Sequence, residues 1–270
     1  MRPILILYLR HALIAAFFRI PGLYRFHLHA CMQSGRCAGI DCCSEGGMTA
    51  RIIVVGNEKG GSGKTTIATN LAVLSALNGI DTLLVDADPG QKSSALWASH
   101  RLEGHPDYPR ISCVERSDGR TIGPVIEDLA TRYQTLIVDT GAVDSPALRA
   151  CAMVADTLVV PVQPDALDVW ALPTIANIYD RAQQLNPKLQ ARIVVNRILH
   201  QSAERAPAEL REWMLQETPT LATHPFTTLV ARAAYGRATG EGVGVCELKG
   251  RELDAKAANE MRAVYEAISQ

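Results

Sequence analysis

The chain has few aromatic residues and almost no excess charge, and both absences limit its function. Aromatic side chains make up 5% of the 270 residues, which argues against modules that bind nucleic acid by stacking bases on aromatic rings. The net charge is −1, so no overall basic character indicates binding to nucleic acid or to a membrane. Contact with DNA would need a local basic patch. With 47% hydrophobic residues, the chain can still bury a sizeable α/β core.

Cysteines are scarce over most of the chain and lack the spacing of metal sites. Four of the seven lie before Met48, and none belongs to a Cys-x-x-Cys pair. His27 and His29 have no partner at a matching spacing, so the pattern argues against a zinc site. The other cysteines lie among apolar or small residues, and we expect them to be the reduced, buried, inert cysteines of a cytosolic protein. They are Cys113, Cys151 and Cys246.

The first 47 residues differ from the rest of the chain. They contain five arginines, no lysine and an apolar stretch from Ile4 to Ile20. Arg10 and His11 interrupt that stretch, which argues against a secretory signal peptide. An amphipathic, arginine-rich targeting or membrane-surface helix is one alternative. We favour a start at Met48, directly before the first predicted strand. Residues 1–47 are then a non-native or disordered extension, and 48–270 form a single domain.

A glycine-rich phosphate-binding loop follows the first predicted strand. The apolar run Ile52–Val55 leads into residues 57–66, which read Asn-Glu-Lys-Gly-Gly-Ser-Gly-Lys-Thr-Thr. Glycines let successive N–H groups converge on an anion, and the following helix adds its positive end. In such a loop Lys64 contacts the β- and γ-phosphates, and the Thr65 hydroxyl contacts Mg²⁺. The predicted nucleotide-binding residues of the loop are Gly60, Gly61, Ser62, Gly63, Lys64, Thr65 and Thr66.

Strand and helix patterns alternate from Met48 onward. Segments such as Leu136–Val138 and Thr157–Val160 are apolar on both faces, as central parallel strands are. The pattern predicts a doubly wound, mostly parallel α/β sheet with helices on both faces, the P-loop NTPase fold. Strands are predicted at 51–56, 82–86, 111–114, 135–139, 157–161 and 191–196. Helices are predicted at 64–78, 91–100, 122–133, 145–154, 166–185, 204–217 and 252–268. Asp144 or Ser145 is expected to cap the fourth helix. The last helix is expected to bury Leu253, Ala257, Met261, Val264 and Ile268.

Acidic residues follow two of the predicted strands at the edge where this fold binds ligands. Asp139 comes directly after Leu136–Val138 and suits the Walker B role of holding a metal-bound water near Thr65. Asp86 and Asp88 are two residues apart, so both point to the same side if the strand continues. One of these two carboxylates can then contact the ligands around Mg²⁺, while the other orients the attacking water. Phosphoryl transfer requires little beyond such positioning and charge neutralisation.

Three motifs together resemble the deviant-Walker ATPases of the ParA/MinD class, above all the small plasmid- and chromosome-partitioning ParA proteins. They are Lys59-Gly-Gly-Ser-Gly-Lys64-Thr-Thr, Asp86-Ala-Asp-Pro-Gly-Gln91 and Leu136-Ile-Val-Asp139. The resemblance covers residues 48–270. It implies a homodimer that forms on ATP binding, with Mg²⁺ as cofactor. It also implies slow hydrolysis of ATP to ADP and phosphate, which a ParB-like centromere-binding adaptor stimulates.

The resemblance also implies roles for single residues. Lys59 matches the signature lysine, which in the class crosses the dimer interface to the partner's phosphates. Lys64 matches the phosphate-binding lysine, and Asp88 matches the carboxylate that positions the water, so these three are the catalytic candidates. Asn196 matches the asparagine that reads the adenine edge. The implied metal network consists of Thr65, Asp86 and Asp139.

Two departures from the class keep other functions open. Glu58 stands where Pro or Gln is more usual before the signature lysine, and a similar Asn-Glu-Lys occurs in the MipZ-type branch. Thr140-Gly-Ala142 replaces the more common Asp-x-Pro after the Walker B aspartate. One alternative is a MipZ/MinD-like spatial regulator of cell division or of a surface complex. Another is a metabolic P-loop enzyme, which the loop lysine Lys59 disfavours.

Binding to DNA is implied by the resemblance, because ParA dimers bind DNA nonspecifically through scattered arginines in the C-terminal part. The candidates here are Arg232, Arg237 and Arg251. Residues 226–270 contain six basic and six acidic residues, so no uniform patch is visible. The final helix is not basic, unlike the membrane-binding helix that ends MinD-like proteins, so no stable membrane association is expected. The expected location is the cytoplasm, with the ATP-bound form on the nucleoid.

Overall fold

A computed structural model describes residues 50–142 and 146–269. The predicted extension at 1–47 and the predicted cap at Asp144 or Ser145 lie outside these residues and stay predictions. The strands are Arg51–Val55 (β1), Thr82–Ala87 (β2), Ser112–Glu115 (β3), Thr135–Thr140 (β4), Thr157–Val162 (β5), Gln190–Ile198 (β6) and Phe226–Val230 (β7). The helices are Lys64–Leu77 (α1), Ser93–Gly104 (α2), Ile122–Leu129 (α3), Pro146–Val154 (α4), Ala166–Leu185 (α5), Arg205–Glu217 (α6), Pro219–Ala222 (α7), Ala233–Gly240 (α8) and Ala255–Ser269 (α9).

The seven strands form one parallel sheet in the order β3-β2-β4-β1-β5-β6-β7. The strand after which the phosphate-binding loop begins, β1, lies in the middle of this order. Because all strands run in one direction, their carboxyl ends meet at one edge, where doubly wound folds bind ligands. The structure thereby confirms the predicted fold. None of the helices in the described part is both long and apolar enough to cross a membrane.

Both faces of the sheet are buried, because successive side chains of a strand point to opposite sides. Ile52 and Val54 of β1 belong to a core shared with α3, α4, α5 and α6. Ile53 and Val55 belong to a second core, shared with α1, α8 and α9. The continuous apolar runs of the central strands are therefore explained by helices on each side.

The structure differs from the sequence-based prediction mainly near the C-terminus. The prediction missed β7, although Phe226–Val230 is rich in the aromatic and β-branched residues that favour strands. It also missed α7 and α8. Helix α9 begins at Ala255, so Leu253 precedes the helix and its side chain is 56% exposed. The expectation that Leu253 faces the core is wrong. The other four residues expected on that face are buried: Ala257, Met261, Val264 and Ile268.

A buried ion pair fastens α2 to the segment that precedes α9. The Arg101 guanidinium donates to both carboxylate oxygens of Glu247, each at 2.8 Å, and the two side chains are 4% and 5% exposed. Arg101 also lies over the rings of Trp97 and Tyr108. Removing one partner of such a pair leaves an uncompensated charge in the interior. The C-terminal segment is thereby tied firmly to the domain.

The three cysteines of the described residues are free, as expected for reduced thiols. Cys151 is buried as expected, whereas Cys113 and Cys246 are half-buried, so the expectation of burial is wrong for these two. Burial raises the pKa of Cys113 and of Cys151 to about 12. These two thiols are therefore protonated and unreactive at neutral pH.

Candidate nucleotide-binding site

The phosphate-binding loop connects β1 to α1 and depends on glycine at two points. Gly61 and Gly63 have φ angles of +80° and +98°, in the left-handed region that side chains with a Cβ rarely adopt. A Cβ on Gly63 would also collide with the amide group of Asn196. Helix α1 begins at the next residue, so its first N–H groups face the concave side of the loop.

Side-chain hydrogen bonds between the loop and the end of the neighbouring strand β5 hold the loop in place. The buried Asn57 donates from Nδ2 to the carbonyl of Pro161 at 2.6 Å, and its Oδ1 accepts from the N–H of Lys59 at 3.1 Å. Gln163 donates from Nε2 to the carbonyl of Gly61 at 2.9 Å. Sequence reasoning singled out neither Asn57 nor Gln163. Both fix the backbone of the loop before any ligand binds.

Asn196 also supports the loop. Its Nδ2 donates to the carbonyl of Ser62 at 2.7 Å, and its Oδ1 accepts from the N–H of Arg197 at 2.9 Å. The side chain is 8% exposed. Both polar ends are thus engaged by the protein, and reading an adenine edge would mean replacing one of these hydrogen bonds. That role stays a prediction.

The two lysines of the loop have different environments. Lys64 is 7% exposed, and its ammonium donates to the carbonyl of Lys59 at 2.9 Å. Burial lowers the pKa of Lys64, while the nearby carboxylates of Asp139, Asp88 and Asp168 raise it. Lys59 is half-buried, and both its N–H and its carbonyl are hydrogen bonded within the loop. The backbone that carries the Lys59 side chain is therefore fixed.

At the end of β4, the buried carboxylate of Asp139 contacts Thr65, in the first turn of the helix that follows the phosphate-binding loop. Oδ2 of Asp139 accepts hydrogen bonds from the hydroxyls of Thr65 and Ser94, both at 2.7 Å. Oδ1 is buried and has no hydrogen-bond partner among residues 50–142 and 146–269. Burial raises the pKa of Asp139 to about 7, although the two hydroxyls and Lys64 oppose this shift.

These groups fit a magnesium ion. A hydroxyl, a carboxylate and an unsatisfied buried oxygen are the hard oxygen ligands that Mg²⁺ accepts. Thr65 and Asp139 are the residues that would hold the ion, and their role as metal ligands stays a prediction. Across the described part of the chain, no three His, Cys, Asp or Glu side chains converge enough to hold a metal by themselves. Mg²⁺ is usually held by one or two carboxylates together with substrate phosphates.

Asp86 lies opposite Asp139 in the register of β2 and β4, but its oxygens are already used. Oδ1 accepts from the N–H of Asp88 at 3.1 Å, and Oδ2 accepts from the N–H of Ala95 at 2.9 Å. Burial raises the pKa of the Asp86 carboxyl despite these bonds. The hydrogen bonds of Asp86 therefore connect the first turn of α2 to the end of β2. Direct binding of a metal ion by the Asp86 carboxylate stays a prediction.

Asp88 lies in the turn after β2. Its Oδ1 accepts from the N–H groups of Gly90 and Gln91, at 2.8 and 3.2 Å. Gly141, just beyond β4, packs so closely that a Cβ there would lie 3.2 Å from the carboxylate carbon. The structure thus brings Asp88 beside the end of β4, where the Walker B residue stands. The side chain is half-buried, and its predicted role of orienting a water stays a prediction.

A further carboxylate near the loop was not predicted. Asp168, in the first turn of α5, is fully buried and accepts from the N–H of Gln163 at 3.0 Å. Its Oδ1 finds no hydrogen-bond partner in the described residues. Burial raises the pKa of Asp168, and the charges of Lys59 and Lys64 oppose the shift. The start of α5 offered only the usual signal of a helix cap, which Asp165 supplies.

The three arginines predicted to bind DNA have unequal environments. Arg232 forms an ion pair with Glu260 at 2.6 Å, and its side chain is 18% exposed. Asp254 lies 4.0 Å from the same guanidinium. Arg237 on α8 and Arg251 before α9 are exposed. The charge of Arg232 is thus largely balanced within the domain, whereas Arg237 and Arg251 stand at the surface.

Comparisons with known proteins agree with this geometry. The model of the CobQ/CobB/MinD/ParA nucleotide binding domain matches residues 53–237. The maintenance of carboxysome distribution protein A of Halothiobacillus neapolitanus is 31% identical over 207 residues, which cover 75% of this chain and 90% of that protein. The chromosome-partitioning ATPase Soj of Thermus thermophilus is 32% identical over 170 residues, covering 52% and 66% of the two chains. The septum site-determining protein MinD of Pyrococcus horikoshii, solved with Mg-ADP, superposes with a TM-score of 0.65 at 18% identity, covering 82% of this chain and 96% of that one.

Proposed function

Since the chain belongs to the CobQ/CobB/MinD/ParA nucleotide-binding family, we propose that it is an ATPase whose two copies join when ATP binds. In this proposal the dimer binds DNA nonspecifically and partitions a plasmid or chromosome. A ParB-like adaptor stimulates its slow hydrolysis and returns it to the monomer. The switch between the two states then times the movement of the cargo.

The observation that carries the proposal is the second lysine of the phosphate-binding loop. Lys64 supplies the cation that a single-subunit site needs, and its ammonium already lies inside the loop. Lys59 adds a second positive charge on a backbone held at both its N–H and its carbonyl. A cation carried on this fixed backbone favours the approach of another subunit's triphosphate, because charge-assisted contacts to phosphate are strong.

In this proposal, the residues of the site have separate roles in ATP hydrolysis. The amides of the loop and Lys64 neutralise charge on the phosphates, and Asp88 orients the attacking water. Thr65 and Asp139 would hold Mg²⁺, which would supply positive charge that neutralises charge on the phosphates. Little else is required of the protein, since catalysis of phosphoryl transfer is mostly positioning and electrostatics.

DNA retention by the ATP-loaded protein tests the partitioning function. Dimerisation would align the arginines of two subunits, and phosphate contacts add steeply at low salt. We expect plasmid DNA to be retarded with ATP and not with ADP. Arg237→Ala should weaken retention more than Arg232→Ala at equal folded concentration, because Glu260 already balances Arg232. A dimer that retains no DNA at any salt concentration would contradict partitioning by this route.

The second candidate is a spatial regulator that distributes a protein complex. The relative of Halothiobacillus neapolitanus, named for the maintenance of carboxysome distribution, favours it. In that case the ATP-dependent dimer forms in the same way, but the cargo is a protein assembly. Deletion of the gene separates the two candidates. Increased plasmid or chromosome loss supports partitioning, whereas unchanged inheritance with a mislocalised protein assembly supports the spatial regulator.

A further inference from the structure

A serine that no motif pointed to stands between the two strand-end carboxylates. Ser94, in the first turn of α2, is fully buried. Its hydroxyl donates to Oδ2 of Asp139 at 2.7 Å, and the N–H of the next residue, Ala95, donates to Oδ2 of Asp86 at 2.9 Å. The first turn of α2 therefore contacts both acids of the predicted metal network from outside the phosphate-binding loop.

The hydroxyls of Ser94 and Thr65 share the same oxygen of Asp139. Two short hydrogen bonds to Oδ2 fix the plane of the carboxylate and leave Oδ1 buried without a partner in the described residues. An unsatisfied buried carboxylate oxygen is costly, so its persistence indicates a ligand that is not part of the chain. The two hydroxyls differ in what they can contact once a cation is bound. If Thr65 turns its hydroxyl toward a cation, Ser94 remains as the hydroxyl that orients Asp139.

We propose that Ser94 is a positioning residue that keeps the Asp139 carboxylate directed at the magnesium site when Thr65 engages the ion. The inference rests on the magnesium–nucleotide chemistry of the proposed function. Partners that orient a metal ligand typically change metal affinity by about 10- to 100-fold when removed. Ser94 should therefore act on metal affinity and hardly at all on the nucleotide itself.

The experiment measures metal and nucleotide binding separately. Mn²⁺, as a spectroscopic substitute for Mg²⁺, is titrated into the ADP-loaded protein and followed by electron paramagnetic resonance. Binding of a fluorescent ADP analogue is measured in EDTA. We expect Ser94→Ala to weaken Mn²⁺ binding about 10-fold or more and to leave metal-free ADP affinity within about twofold. Ser93→Ala, one residue earlier in the same turn, is the matched control and should leave both unchanged.

Ser94→Cys keeps nearly the same volume with a weaker donor, so it should bind Mn²⁺ with intermediate affinity. Circular dichroism of each variant confirms that it is folded. Wild-type Mn²⁺ affinity in both Ser94 variants would overturn the inference, as would equal losses of Mn²⁺ and metal-free ADP affinity, which indicate a merely structural role. If the wild-type protein itself binds no metal–nucleotide complex, the proposed function fails instead, so the two failures are distinguishable.

Discussion

Replacement of Asp139 by asparagine should stabilise the ligand-free protein at alkaline pH while removing its response to magnesium. The carboxyl has an ordinary pKa of 3.8, which burial raises to about 7. At about 1.4 kcal/mol per pH unit, this gap corresponds to about 4 kcal/mol of lost stability once the group is ionised. The buried amide introduced by Asp139→Asn would leave an unpaired N–H group, which costs about 1–3 kcal/mol. The net gain expected above pH 7 is therefore about 1–3 kcal/mol.

The pH dependence of this gain follows from the direction of the shift. Because the pKa in the folded state lies above that in the unfolded state, the folded protein holds more protons between about pH 4 and pH 7. Stability contributed by this group therefore falls as the pH rises through that window. Asp139→Asn removes the dependence, so its advantage over the wild type should be small near pH 5 and largest near pH 8.

Urea unfolding of both proteins at several pH values provides the assay. Taking the difference in unfolding free energy between the two proteins at each pH removes the contribution of all other titrating groups, because both proteins share them. The same curves with Mg-ADP should show strong stabilisation of the wild type and a much smaller effect on Asp139→Asn. A constant difference between the two proteins from pH 5 to pH 8 would show that Asp139 titrates alike in the folded and unfolded chains, and that burial does not raise its pKa.

Three further substitutions probe other parts of the structure. Gly63→Ala should abolish nucleotide binding and destabilise the fold by about 1–3 kcal/mol, since φ of Gly63 is +98° and the added Cβ would displace Asn196. Calorimetric titration with ADP measures the loss of binding. Arg101→Met should destabilise the protein by about 3–5 kcal/mol by leaving Glu247 buried without its partner, and the double variant with Glu247→Gln should recover much of the loss in urea unfolding. Arg232→Ala should cost about 1 kcal/mol, seen as a small drop in the thermal midpoint.

Much of the site is local in sequence, and that part was predictable. The phosphate-binding loop lies within one strand–turn–helix unit, so its glycines, Lys64 and Thr65 are recognised by their order and spacing. Asp139 was identified because an acid after an apolar strand has a known place in a parallel sheet. The fold followed from strands that are apolar on both faces.

The features of the fold and site that the sequence did not predict depend on contacts between segments far apart in the chain. Ser94 meets Asp139, 45 positions away, and nothing in the local sequence of α2 indicates this. The pairing of Arg232 with Glu260 places an arginine beside an acid 28 positions away, so composition alone suggested a freer cation than the structure contains. Leu253 fitted the helical spacing of α9, but the helix begins two residues later. Such features require the three-dimensional arrangement.

Lys59 is proposed to couple ATP binding to dimerisation, and sedimentation velocity measures this coupling. The wild-type protein should sediment as a dimer with ATP and as a monomer with ADP. Lys59→Ala should remain a monomer with ATP, because the cation that meets the second triphosphate is missing, while Lys64 preserves nucleotide binding within a few-fold. A Lys59→Ala protein that binds ATP and dimerises like the wild type would show that Lys59 is not needed for dimerisation.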